Sequence, residues 1–346
     1  MIKKLQLGTR LRQLPDRVRI GASIALAAVA VAAVAFSVLP ERITGTPAEP
    51  IWPSTGAGTN SPAAVPGQAP DSWTKQVDAA VVATAWPKLN PPLDKLSRSR
   101  AAEWDACRNV TAGTEAKCRF GKSNDPKKTV VILGDSLAIS WIPAARAGFE
   151  SKGWTVRGLT FKDCPAARID VVPISRDVSF TEDCRKHQEY ALARAKALKP
   201  AIVLISTGNG TLTRILGSQG PEAAAALQQA ETTAIKSLVT DNTKVVVVAP
   251  PPDRRDMGAC ATHVSTPADC LSDVQVPWNT LRTLEQDAAK QAGGVYLNTQ
   301  SWTCTLDGQC PSFIGTTPVM TDGVHLTNSM SRRLGTVLFD AATARA

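Results

Sequence analysis

Two short stretches of the chain hold residues whose types and spacing can do chemistry. Gly134-Asp135-Ser136 closes the apolar run Val130-Val131-Ile132-Leu133, and Asp322-Gly323-Val324-His325 lies near the carboxyl end. A serine hydroxyl becomes a nucleophile when a nearby base takes its proton, and histidine is the usual base near neutral pH. An Asp three residues before a His can set its carboxylate against Nδ1, which fixes the tautomer and leaves Nε2 free for the serine's proton. Three histidines are available. His187 sits among Arg185, Lys186 and Gln188 in an expected helix and reads as part of a solvated face. His263 falls between two cysteines in a polar loop and reads as a surface residue. His325 is then the base, Asp322 its orienting acid and Ser136 the nucleophile. Gly-Asp-Ser by itself is equally a turn, because all three residue types favour turns. Asp322 by itself is equally a helix cap. Those readings leave His325 without a task. Asp135 reads as a brace for the turn rather than as the triad acid.

A third piece follows the run Ala201–Ser206. Thr207-Gly208-Asn209-Gly210 can place an Asn side-chain N–H, with the Ser136 backbone N–H, toward an oxyanion. An Asn-Gly turn accounts for Asn209 equally well. Asn209 and Gly208 are therefore the candidate oxyanion and substrate-binding residues. No Cys-x-x-Cys occurs and histidines are few, so metal ligation is the weaker reading of the cysteines. The serine chemistry needs no metal and no organic cofactor.

These groups must be positioned by a scaffold, and the pattern of apolar runs supplies one. Strands are expected at 130–133, 154–161, 201–206, 244–249 and 295–298. Helices are expected at 139–149, 182–198, 222–238, 276–291 and 326–342. Short apolar strands alternating with helices imply an α/β fold, a doubly wound parallel sheet with helices on both faces. In such sheets reactive groups gather at the carboxyl ends of the strands, where Ser136 and Asn209 both fall.

The chain has 346 residues and a net charge of +9, of which +5 lies within residues 1–19. The remaining +4 is spread thinly and offers no nucleic-acid groove. Residues 20–39 are an uncharged apolar run long enough for a membrane-crossing helix. With the basic flank on its amino side, the tail would be cytoplasmic and everything after Pro40 outside. The run exceeds a usual signal-peptide core, which favours an uncleaved anchor over cleavage near Ala33-Val34-Ala35. The expected organisation is a basic tail (1–19), a single-pass anchor (20–39), a Pro-rich linker (40–71), an amino-terminal strap (72–121) and an α/β domain (122–346). Eight cysteines, all beyond the anchor, suit disulfides in an exported chain. Spacing alone does not choose among the connectivities. We expect four local bridges between sequential neighbours, 107–118, 164–184, 260–270 and 304–310.

Gly134-Asp135-Ser136, an Asn after a middle strand and Asp322-x-x-His325 together resemble the SGNH (GDSL) hydrolase superfamily, whose fold is a flavodoxin-like α/β sheet. The finer resemblance is to the SGNH domain of family-3 membrane acyltransferases, which O-acylate cell-envelope polysaccharides. It rests on Trp141-Ile142-Pro143-Ala144, Cys164-Pro165, Cys304…Cys310-Pro311, His325-Leu326-Thr327 and the lead-in Leu89-Asn90-Pro91-Pro92-Leu93 with Cys107…Cys118. The chain departs from that pattern at Leu137, where those domains often carry His, and at Thr207-Gly208-Asn209, which replaces Gly-x-Asn. The resemblance implies a membrane-anchored serine esterase or O-acyltransferase acting on small, acetyl-like esters of an envelope polysaccharide or glycolipid. Because one membrane segment is expected here, a multi-span acyltransferase partner would be a separate protein. The alternative, from another class, is a non-catalytic glycan-binding or scaffolding domain beside such an acyltransferase.

Overall fold

The computed structural model describes residues 69–344 apart from Arg176. The tail, the proposed anchor at 20–39 and most of the linker lie outside the described residues. Among the described residues no helix is long and apolar enough to cross a membrane.

The scaffold is a six-stranded sheet made of β1 (Arg119–Phe120), β2 (Thr129–Gly134), β3 (Thr155–Thr160), β4 (Ile202–Ser206), β5 (Lys244–Val248) and β7 (Val295–Leu297). Its order is β1-β3-β2-β4-β5-β7. The last five strands are mutually parallel, and β1 adds an antiparallel edge. This is the α/β sheet that the alternation implied. Every residue of β2 is buried, as a continuous apolar run demands of a strand covered on both faces. A small ribbon, β6 (Ser272–Asp273) against β8 (Gln309–Cys310), stands apart from the sheet.

Helices cover the sheet in two groups. The first joins α3 (Ser136–Phe149) with α9 (Asn328–Arg333) and α10 (Gly335–Thr343). The second joins α4 (Phe180–Leu198), α5 (Gly220–Leu238) and α7 (Val276–Ala292). Short helices α1 (Asp71–Val81), α2 (Trp104–Cys107), α6 (Met257–Cys260) and α8 (Gln300–Thr303) complete the chain. Near the amino end of the described residues α1 buries Trp73, Val77 and Ala80, while Val82 just beyond it is exposed. The Trp73 indole N–H donates to the Trp302 carbonyl at 2.7 Å, tying α1 to α8.

Pro143 lies inside α3, where its ring removes a donor and crowds the preceding turn. The Ser331 hydroxyl from α9 repairs the break, accepting from Ala144 N at 3.0 Å and donating to Ser140 O at 2.6 Å. The Trp141-Ile142-Pro143-Ala144 run is thus fitted to α9.

Two expectations are corrected. The closing helix is two helices, because Gly335 lies directly against α3, where a Cβ would come within 2.7 Å of Ala147 Cβ and 2.9 Å of Gly148 N. Such an approach needs an axis of its own. His187 is not on a solvated face. It is buried, its Nδ1 is 3.0 Å from Val110 O, and its ring lies against Phe161. Burial presses its pKa down to about 4. The inward stripe of α4 is Cys184, His187, Gln188 and Ala191, so two polar residues occupy core-facing positions.

The four disulfides join Cys107–Cys118, Cys164–Cys184, Cys260–Cys270 and Cys304–Cys310, the local pairing expected.

One glycine decides where the nucleophile candidate sits. Gly134 has φ +133°, and a Cβ there would fall 2.0 Å from the Ser206 carbonyl oxygen on the adjoining strand. Gly134→Ala is expected to cost about 3 kcal/mol or more, from overpacking plus backbone strain. Urea denaturation of the two proteins measures it, and a difference below about 1 kcal/mol would contradict the packing described.

Candidate active site

The turn from β2 into α3 is built around a buried carboxylate. Asp135 is the N-cap of α3, and its Oδ1 accepts from Leu137 N at 2.9 Å. Its Oδ2 accepts from Gly208 N at 2.8 Å, in the loop after β4. One side chain therefore braces two strand ends, the role read for it from the sequence. Burial pushes its pKa up against the opposing pull of those two N–H groups. Ser136 is the first residue of α3 and 6% exposed. Its backbone N–H has no carbonyl one turn back to bond, so it points out of the helix start.

Asp322 and His325 form a closed unit on one loop. His325 Nδ1 lies 2.9 Å from Asp322 Oδ2 and 3.1 Å from Oδ1. Oδ1 also accepts the backbone N–H groups of His325 at 2.9 Å and Val324 at 3.2 Å. Burial alone would raise the Asp322 pKa, but the His325 imidazole and these N–H groups together hold it well below the usual carboxylate range. An ionised Asp322 keeps the proton on Nδ1 and the lone pair on Nε2. His325 Nε2 is buried and has no hydrogen-bond partner among the described residues. That leaves its lone pair available. The loop is pinned by Thr321 N donating to His325 O at 2.8 Å, and by Thr327, which caps α9 through Met330 N. Leu326 is 1% exposed and anchors the chain beside it.

Two residues ahead of the sheet also touch this unit. Trp104 meets the His325 ring edge-on, with centroids 5.3 Å apart. Arg100 Nη2 donates to Asp322 Oδ2 at 3.1 Å and stacks over Trp104. The sequence contained no motif to single out either residue.

Asn209 follows β4, but its side chain is engaged. Nδ2 donates to Asp253 Oδ2 at 2.9 Å, which leaves one amide hydrogen unspent. Asp253 was not singled out in the sequence. Its position after β5, at the same carboxyl-end edge as Ser136 and Asn209, was the usable signal. The charge of His325 reaches both Asp253 and Asp135, so the three lie near one another. Gly208 enters through its N–H, which is committed to Asp135. His263 is exposed, as expected.

Behind the turn, the Thr207 hydroxyl donates to Glu231 Oε1 at 3.1 Å. Burial pushes the Glu231 carboxyl up to about 8, and the neighbouring Asp135 charge adds to the rise. In the unfolded chain the same group ionises near about 4.3. Between these values the folded chain holds a proton that the unfolded chain has lost. This group's contribution to stability is therefore fullest below about pH 4 and is lost as pH rises through about 8. Glu231→Gln is expected to flatten this fall, giving a higher Tm than wild type at the alkaline end. Thermal melts from about pH 5 to about pH 8.5 check it, and parallel curves would refute it.

The sequence model of the family described as "SGNH domain (fused to AT3 domains)" matches residues 103–339. The chain belongs to this family. It is thereby an SGNH-type enzyme acting on ester bonds. Among solved structures, the chain is similar to the periplasmic domain of a lipopolysaccharide acetyltransferase from Salmonella ser. Paratyphi A. The TM-score is 0.53 at 17% identity, over 71% of this chain and 91% of that one. A carbohydrate acetylesterase from Sinorhizobium meliloti, Est24, aligns with a TM-score of 0.36 at 18% identity, over 62% and 97% of the two chains. The comparison with curated proteins gives no match.

Proposed function

We propose that this SGNH domain is a serine esterase or O-acyltransferase using Ser136, His325 and Asp322. The observation that carries the reading is the buried Nε2 of His325, unpartnered among the described residues, set by Asp322 and close enough for its charge to be felt at Asp135 of the Gly134-Asp135-Ser136 turn. Ser136 Oγ attacks an acyl carbonyl while Nε2 takes its proton. The Ser136 N–H and the second amide hydrogen of Asn209 receive the oxyanion. Gly208 contributes by tying Asp135, and so the turn, to the β4 loop. The tetrahedral intermediate collapses to an acyl-serine, and the imidazolium returns the proton to the leaving alcohol. Water then releases an acid, or a sugar hydroxyl receives the acyl group.

The family's link to AT3 domains, with a neighbour whose name is that of a lipopolysaccharide acetyltransferase, supports a small acyl group and a cell-envelope glycan acceptor. It also supports an extracytoplasmic site and a multi-span acyltransferase as source of the acyl group. Anchoring by residues 20–39 belongs to the same proposal.

The test is hydrolysis of aryl esters of increasing acyl length, with and without a sugar acceptor. Turnover should be greatest for acetate and fall with length, and the acceptor should divert acyl groups from water. Binding of envelope glycan with no turnover of any ester would favour the scaffolding alternative instead.

A further inference from the structure

We propose that the cavity bounded by Asp253 and the β6 ribbon is the subsite for the acyl-accepting sugar, and that it selects a neutral polyol. The proposal rests on the esterase or transferase reading above. The cavity has a volume of about 330 Å³ and is lined by Asp253, Arg254, Arg255, Leu271, Ser272, Asp273 and Gln275. That is at the small end of the ~300–1,000 Å³ usual for small-molecule sites, and suits a sugar unit rather than a long acyl chain.

Its position follows from Asp253. This carboxylate is bonded to Asn209 through Oδ2, it faces the charges of His325 and Asp322, and it also lines the cavity. The cavity therefore shares a wall, Asp253, with the candidate site. Oδ1 of Asp253 accepts no hydrogen bond among the described residues and is left to a ligand.

Its chemistry follows from the walls. Asp253 and Asp273 offer acceptors, and Arg255 and Gln275 offer donors. One Arg255 N–H is committed to the Asp269 carbonyl at 2.8 Å, and Gln275 Nε2 to the Asp273 carbonyl at 2.6 Å. The remaining guanidinium hydrogens and the Gln275 carbonyl oxygen stay free. A hydroxyl both donates and accepts, so a polyol can meet both kinds of group. Two carboxylates are balanced by two arginines, so the lining favours a ligand of neither sign, and Leu271 alone among the seven offers an apolar side chain for an acyl tail.

The walls are also fixed before any ligand arrives. Ser272 pairs with Cys310 and Asp273 with Gln309. Cys310 is bridged to Cys304 and Cys270 to Cys260, so a disulfide holds each side of the ribbon. Arg255 N donates to Ser272 Oγ at 2.9 Å, joining the ribbon to the Asp253 segment. Preorganised walls reduce the ordering cost of binding.

A hydroxyl held here would attack the acyl-serine. Its oxygen forms the new bond to the acyl carbon as the bond to Ser136 Oγ breaks. The hydroxyl proton passes to His325 Nε2 and then to the departing Ser136 Oγ.

The test uses the full chain, with Asp273 and Gln275 both changed to Ala. The wild type should turn over 4-nitrophenyl acetate in water, and the double variant should match it within about twofold. In a Ser136→Ala background, calorimetric titration with mannotetraose, cellotetraose and galactotetraose should show binding of at least one. The double variant should weaken that binding by about tenfold or more. The proposal is overturned if none of the three binds, or if the double variant binds as wild type does. It is also overturned if the variant loses acetate hydrolysis in step with sugar binding, the mark of general damage. Sugar binding that follows the prediction, without ester turnover by wild type, would keep the subsite and remove the enzyme reading.

Discussion

Ser136→Ala is expected to reduce ester turnover by about 10⁴-fold or more, with KM for the ester little changed. The size comes from the loss of a covalent step: without Oγ no acyl-serine forms, and only the oxyanion donors and binding remain. The fold should be unaffected. Ser136 bonds no neighbour through its side chain in the described structure, and the turn is held by Gly134 and Asp135 instead. A fluorophosphonate probe should label the wild type and leave the variant unlabelled. Equal labelling of both would end the proposal that Ser136 is the nucleophile.

Asp322→Asn is expected to lower kcat by about 10⁴-fold, nearly as much, although one atom changes. The geometry gives the reason. Oδ1 of Asp322 accepts two backbone N–H groups, from Val324 and His325, and an amide can satisfy both only with its oxygen. The amide nitrogen must then stand where Oδ2 stood, 2.9 Å from His325 Nδ1. Nδ1 would have to accept rather than donate, so the proton would move to Nε2. The base would be removed without displacing the ring. Arg100, now facing an N–H₂ group, would lose its acceptor. Nitrogen NMR of the imidazole reads the tautomer directly, independently of rate. A variant that keeps the Nδ1–H tautomer, or loses less than about tenfold in kcat, would show that Asp322 does not orient the base.

The sheet was legible because a strand buried on both faces has to be apolar throughout. Val130–Leu133, Ile202–Ile205 and Val245–Val248 carry that requirement in their composition. The Asp322–His325 pairing was legible because it lies within one turn of chain. Features set by contacts between distant segments were not. The split between α9 and α10 depends on Gly335 meeting Gly148, nearly two hundred residues away. His187 is polar by type, and its buried partners, Val110 and Phe161, come from distant segments of the chain. Asp253 escaped notice because a carboxylate beside a proline run and two arginines looks like a solvated loop. Its value lies in facing Asn209, which a one-dimensional pattern does not record. The same contact qualifies Asn209, whose amide is shared between Asp253 and whatever enters the cleft.

The distribution of these groups along the chain has a consequence for biogenesis. Of the parallel strands β2 is synthesised first, β3 and β4 then add on either side of it, and β5 and β7 follow outward. No later strand has to insert between two already paired, so the sheet can grow as the polypeptide emerges. The proposed active centre cannot grow with it. Arg100 and Trp104 are made first, Ser136 next, and Asp322 and His325 follow Ser136 by 186 and 189 residues. In the proposed site a nascent chain thus carries Ser136 through 189 further residues before His325 is made. The proposed acyl chemistry can begin only once the loop of Asp322 and His325 has folded back against Trp104.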